Sequence, residues 1–163
     1  HIQNLYMDDI TVIGGTYSTT HGRPHYDNWG SADHTITGSF TPTHTGRHFF
    51  QVVYGNGSGG LDSGITCAVK WVRIRNGSEQ IITEKALIMP QLDDWDHWSE
   101  SNLISFDANN DETISFEILE GLNMSFFDHY AKYNGNGGGN DMYNFVNISE
   151  IKILFRNSHE ENN

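Results

Sequence analysis

One cysteine, three prolines and nine basic residues are all that this 163-residue chain holds of those types. The single cysteine, Cys67, excludes an internal disulfide and a zinc finger. It lies in the apolar run 65–74, where a small buried hydrophobe is the expected role. Nine Lys and Arg stand against 21 Asp and Glu, a formal net charge of −12. Such a chain lacks the cationic charge that displaces phosphate counterions, so no nucleic-acid partner is expected. The same balance argues against an anionic membrane surface. No stretch approaches the roughly 18 apolar residues of a membrane span. No signal-peptide pattern is visible, and the chain starts at His1 without Met. It reads as an excised domain, with His1 as a tag remnant.

A helical period is also missing, since no segment of twelve or more residues repeats its apolar positions at 3.6. Short strand-like runs take its place, at 10–13, 34–40, 47–54, 65–75, 80–89, 102–106, 113–118 and 146–155. In 113–118, Ile114, Phe116 and Ile118 point one way and Thr113, Ser115 and Glu117 the other. In 147–153, Ile148, Ile151 and Ile153 supply the apolar positions between Ser149, Glu150 and Lys152. Period two with one polar face predicts antiparallel sheets packed on one side. Eight such runs separated by Gly, Asn, Asp and Ser clusters predict an all-β, antiparallel β-sandwich of jelly-roll type. One module over 1–156 and a polar tail over 157–163 are expected.

Gly- and Asn-rich loops fill 54–62 and 134–143, without the strand–loop–helix setting or the Lys-Ser/Thr of a phosphate loop. They read as turns or as a metal-cradling loop. The segment 107–112, Asp-Ala-Asn-Asn-Asp-Glu, lacks the Asp series of a calcium loop and reads as a hairpin turn. The histidines show no His-Glu-Xaa-Xaa-His pattern, and most read as surface or structural residues.

Four segments, in order, carry a family resemblance. Residues 46–57 (GRHFFQVVYGNG) resemble the strand and turn of the calcium-dependent β-sandwich carbohydrate-binding modules. Met89-Pro90, followed after a gap by Trp95-Asp96-His97-Trp98, is similar to the Pro, gap, Trp-Xaa-Xaa-Trp block of families 6, 35 and 36. Residues 102–118 (NLISFDANNDETISFEI) look like their next two strands, and Val146-Asn147-Ile148-Ser149-Glu150-Ile151 sits where they have Asn-Ile-Asp-Xaa-Ile. Three features depart from the pattern. Ser149 replaces the closing Asp, Asp8-Asp9 is the nearest match to an opening Glu-Ala-Glu, and extra length lies in 14–33 and 123–144.

The resemblance implies a galactose-binding-like sandwich that is a non-catalytic carbohydrate-binding module. Its partners would be a polysaccharide and, in cis, the catalytic domain of a secreted, bacterial polysaccharide-degrading enzyme. Trp95 and Trp98 are candidate sugar plates, with Trp98 the packing member and Trp95 the freer. Tyr26 and Trp29 form a second aromatic cluster with Asp27 and Asn28. Asn140, Tyr143 and Asn144 match the loop that supplies Asn and aromatic contacts, since Asn both donates and accepts. Calcium is the implied cofactor, with Asp8, Asp9 and Glu150 as candidate ligands and Asp62 and Asp141 as further carboxylates. The net charge favours a neutral glycan; an acidic one would be bound through calcium or through cations such as Arg23, Arg47 and Lys132.

Two other readings stay open. The chain could be a structural accessory sandwich with Trp29, Trp95 and Trp98 all packed. It could also be a small jelly-roll lyase or hydrolase, with His129, Tyr130 and Lys132 as reacting groups.

Overall fold

The computed structural model describes residues 1–30, 33–57, 67–120 and 145–156, with positions 67 and 120 described by backbone alone. Asn140, Tyr143, Asn144, Asp62, Asp141, His129, Tyr130, Lys132 and the tail 157–163 lie outside these residues. The strands are β1 (Ile2–Leu5), β2 (Thr11–Ile13), β3 (Thr16–Ser18), β4 (His25–Trp29), β5 (Thr35–Phe40) and β6 (Gly46–Gly55). They continue as β7 (Cys67–Arg75), β8 (Ile81–Pro90), β9 (Ser99–Glu100), β10 (Ile104–Ala108), β11 (Ile114–Glu120) and β12 (Val146–Phe155). One 3-10 turn, Met7–Asp9, separates β1 from β2. Among the described residues no helix is long and apolar enough to cross a membrane.

Two antiparallel sheets result. One runs β10-β6-β12-β4-β3, with β1 also on β12 and β9 on β6; the other runs β2-β5-β11-β7-β8. Their inner faces share one buried apolar cluster, which includes Trp29, Ile36, Phe50, Val72, Ile104, Phe116 and Ile151. The all-β sandwich expected from period two is therefore the observed architecture.

β11 shows why. Ile114, Phe116 and Ile118 are buried, while Glu117 faces out and accepts from Arg73 Nη1 at 3.2 Å and Arg75 Nη1 at 2.6 Å. The polar face is thus a cross-strand ion-pair ladder and the other face is core.

β12 alternates less simply. Ile148 and Ile151 are both fully buried although three residues apart. In an unbroken strand they would face opposite ways. The pairing with β6 shifts register between Ile148 and Glu150. This bulge absorbs the extra residue and re-aims Glu150.

The hairpin expected at 107–112 is corrected. A turn is present, with Glu112 N–H donating to Asn109 O at 3.3 Å and Asp111 at φ 66°. However, β10 pairs with β6 and β11 pairs with β5 and β7. The turn carries the chain from one sheet to the other, because both flanking strands find longer partners elsewhere.

Candidate functional site

A cleft of about 460 Å³ opens beside the β12 bulge, lined by residues that include Tyr6, Asp8, Tyr17, Arg23 and Glu150. Its floor is the buried Met7. The 3-10 turn positions Tyr6 and Asp8. Asp9 N–H donates to Tyr6 O at 2.9 Å, and Tyr6 N–H donates to the Asp9 carboxylate at 2.9 Å. One Asp9 carboxylate oxygen thus closes the turn, and Asp8 is the acid that lines the cleft. β3 brings Tyr17 to the same cleft, edge-on to Tyr26 at 5.7 Å.

Tyr6 and Tyr17 are 55% and 53% exposed, respectively. An aromatic ring that stays in water on a cleft wall is available to an apolar sugar face. In the same cleft, Arg23 Nη1 stands 3.7 Å from Glu150 Oε1. The other Glu150 oxygen, Oε2, is buried and has no hydrogen-bond partner among the described residues. A buried carboxylate oxygen without a donor is costly unless a cation or ligand satisfies it.

The segment 93–98 forms the neighbouring rim. The Asp94 carboxylate accepts from Asp96 N–H at 2.7 Å. His97 hydrogen-bonds Asp93, which raises the His97 pKa above its ordinary value and lowers that of Asp93. Trp98 donates Nε1–H to His21 O at 2.8 Å. Its ring lies under the Arg23 guanidinium at 5.4 Å and meets the His25 ring edge-on at 5.2 Å. Trp98 thus joins the rim to the cleft. Trp95 is half-buried and covers Gly57, where an added Cβ would sit 2.5 Å from its ring.

Of the sequence candidates, Asp8 and Glu150 both line the cleft and Trp98 borders it through Arg23. Tyr26 is half-buried and packs on the core behind Tyr17. Trp29 is corrected: its indole is 0% exposed, so it has no face to offer a sugar. The positive φ of Asn28, 54°, precedes the inward turn that buries it. Asp9 lies on the same 3-10 turn, with Oδ2 taken by Tyr6 N–H. Tyr6 and Tyr17 were missed. Tyr6 adjoins the Met7-Asp8-Asp9 stretch, and that adjacency was the available signal. Tyr17 sits in the extra segment 14–33, which had no counterpart in the resemblance.

No protein-family model matches the chain, and no curated protein does. Solved structures of family 35 and family 36 carbohydrate-binding modules do match it in three dimensions. One is the family 35 module from Cellvibrio japonicus, at TM-score 0.57 and 13% identity, covering 96% of this chain and 95% of that one. A second is the Arthrobacter globiformis isomalto-dextranase complexed with panose, at TM-score 0.60 and 14% identity. The match covers 93% of this chain but spans only 23% of that enzyme. A third is an uncharacterised Listeria monocytogenes protein solved with glucose, magnesium and calcium, at TM-score 0.58 and 10% identity, over 89% of this chain and 11% of that one. The chain has the two-sheet fold of the family 35 carbohydrate-binding modules.

Proposed function

We propose that the chain is a non-catalytic carbohydrate-binding module that holds an appended, secreted polysaccharide-degrading enzyme on its glycan. The observation that carries this reading is the cleft, lined by the exposed Tyr6 and Tyr17 and by the Arg23–Glu150 pair. The tyrosine rings stack on pyranose C–H faces, and Arg23, Asp8 and Glu150 orient hydroxyls through charge-assisted bonds. Trp95 extends the surface along the rim. Binding raises the local concentration of the attached enzyme on polymer, an effective-concentration gain with no chemistry in the module itself. The match to a whole family 35 module and to one part of a panose-complexed enzyme supports it. The parent protein is read as bacterial.

Calcium fits the same cleft through Asp8 and Glu150. The buried, donorless Glu150 Oε2 is what an oxygen-seeking cation would satisfy. When bound, the ion supplies positive charge and fixes the 3-10 turn against β12.

The test is affinity gel electrophoresis on a polysaccharide panel, with calcium and with chelator, for the full chain and for Tyr17→Ala. Loss of one aromatic anchor should cost about 2 kcal/mol, roughly a 30-fold fall in affinity. Retardation by one glycan that disappears in Tyr17→Ala supports the reading. No retardation on any glycan moves the weight to an accessory sandwich, which the packed Trp29 and Trp98 favour. Release of reducing ends or unsaturated products would overturn the non-catalytic assignment.

A further inference from the structure

His25 opens β4 with its ring fully buried. Its Nδ1 lies 2.7 Å from Arg23 O. A carbonyl oxygen only accepts, so Nδ1 carries the hydrogen. Its Nε2 lies 2.6 Å from Asp27 Oδ1, which is also an acceptor. A neutral imidazole has one N–H, so a nitrogen lone pair here faces a carboxylate lone pair. That arrangement holds only with a cation between them, either a proton or a metal ion.

A third ligand is in place. His21 sits at φ 59°, a left-handed turn position that brings its ring centroid 5.6 Å from that of His25. Its Nδ1 is 2.7 Å from Asp96 Oδ1, so Nδ1–H donates there and the Nε2 lone pair stays available. One ligand atom from each of His21, His25 and Asp27 lies within 4.8 Å of the others. Both histidines thus have the second nitrogen held by oxygen, one by a backbone carbonyl and one by a carboxylate. This is how ligating imidazoles are oriented and made more basic. His21 and Asp27 are partly exposed, at 32% and 27% of the side chain, which gives an ion a way in.

We propose that His21, His25 and Asp27 form a binding site for a zinc-class divalent ion, with Asp96 positioning His21. Two imidazoles and one carboxylate suit zinc, nickel or copper rather than the all-oxygen demand of calcium. Asp8 and Glu150 hold oxygen ligands only, so the two sites differ in metal as well as place. Tetrahedral zinc would open the His25–Asp27 gap to about 3.3 Å, within reach of an Asp27 side-chain rotation. The bound ion would fasten the turn at His21 to β4 and, through Asp96, to the 93–98 rim. The second His/Asp group, Asp93, Asp94 and His97, is wholly exposed and lacks a buried ligand. It reads as a surface ion-pair cluster.

This site does not depend on glycan binding. The experiment is zinc titration calorimetry on the chelator-stripped, untagged full chain, with cobalt visible absorption as a report on nitrogen ligation. One zinc per chain is expected, with cobalt d–d bands. His21→Ala and Asp27→Asn should abolish that site while retaining the wild-type circular dichroism. Asp96→Asn should weaken zinc about 10- to 100-fold. His97→Ala should leave it unchanged. His25→Ala is set aside because the ring is core and its loss can unfold the chain. Absence of zinc uptake would mean that a proton fills the gap, and the proposal falls. A zinc site that survives His21→Ala and is lost in His97→Ala also overturns it.

Discussion

Trp98 Nε1–H donates to the backbone carbonyl of His21 at 2.8 Å, across 77 residues of sequence. Each residue belongs to a different loop, and the bond is one of the ties between the rim and the cleft. Trp98→Phe keeps most ring packing on His25 and under Arg23 but drops the donor. It should cost about 0.5–1.5 kcal/mol, the net value of one hydrogen bond. Trp98→Ala also loses the packing and should cost about 3 kcal/mol. Urea unfolding of the two variants checks this. Equal losses would mean that the indole nitrogen contributes nothing.

Gly57 touches the ring of Trp95, and a Cβ there would stand 2.5 Å from Trp95 Cδ1. The obstructing atoms are Cγ, Cδ1 and Cδ2, the base of the indole, all within 2.6 Å, so the whole ring has to be displaced. Gly57→Ala should therefore destabilise by about 1–3 kcal/mol through overpacking and shift tryptophan emission. If Trp95 extends the sugar surface, glycan retardation weakens as well. An unchanged emission spectrum would show that the ring does not rest on Gly57.

Gly38 makes a similar close approach inside the core. A Cβ on it would lie 2.6 Å from Phe116 Cζ and 3.2 Å from Ile10 Cγ2. The Phe116 ring is wedged against Phe40 and Phe50, with centroids 6.4 Å and 5.1 Å away, so it has no room to yield. Gly38→Ala should destabilise by about 1–3 kcal/mol through overpacking. Adding Phe116→Leu should recover part of that loss in thermal melts. Additive losses in the double variant would rule out a shared clash.

The sandwich was legible because period-two patterning is a direct consequence of strand geometry. Ile114, Phe116 and Ile118 announced a buried face, and it is buried. The sheet switch at 107–112 was not legible, because a turn of four residues looks alike whether its strands pair with each other or with others. The site was half legible. Asp8 and Glu150 stood out as carboxylates, but the bulge at Ser149 that aims Glu150 exists only through pairing with β6. Trp29 looked like a binding plate among polar neighbours. Its burial depends on the strand it ends, which was too short and too polar to read as one. The His21–His25–Asp27 group has no sequence signature, because its spacing fits no helical metal motif. It fits i, i+2 on a strand, plus a turn.

His48 gives the fold a defined acid sensitivity. It is 2% exposed, donates Nδ1–H to Gly46 O at 2.8 Å, and stacks on Phe106 at 5.4 Å. Burial penalises the imidazolium and lowers the His48 pKa; the Gly46 hydrogen bond opposes this, nearby His44 reinforces it, and Asp107 opposes it weakly. The folded value therefore lies below the unfolded value of about 6.5. Between the two, the unfolded chain takes up a proton that the folded chain refuses, so stability rises with pH through that window. The contribution is fully present above about pH 6.5 and is lost as pH falls toward the folded value. His97 works in the other direction, since Asp93 raises its pKa; as a wholly exposed group it is screened by solvent. Thermal melts from pH 7.5 to 5 should show the wild type losing stability at up to about 1.4 kcal/mol per pH unit from this one group. His48→Gln, which keeps a donor near Gly46, should have a shallower slope over the same range. Parallel curves for the two proteins would mean that His48 is protonated as readily in the fold as out of it.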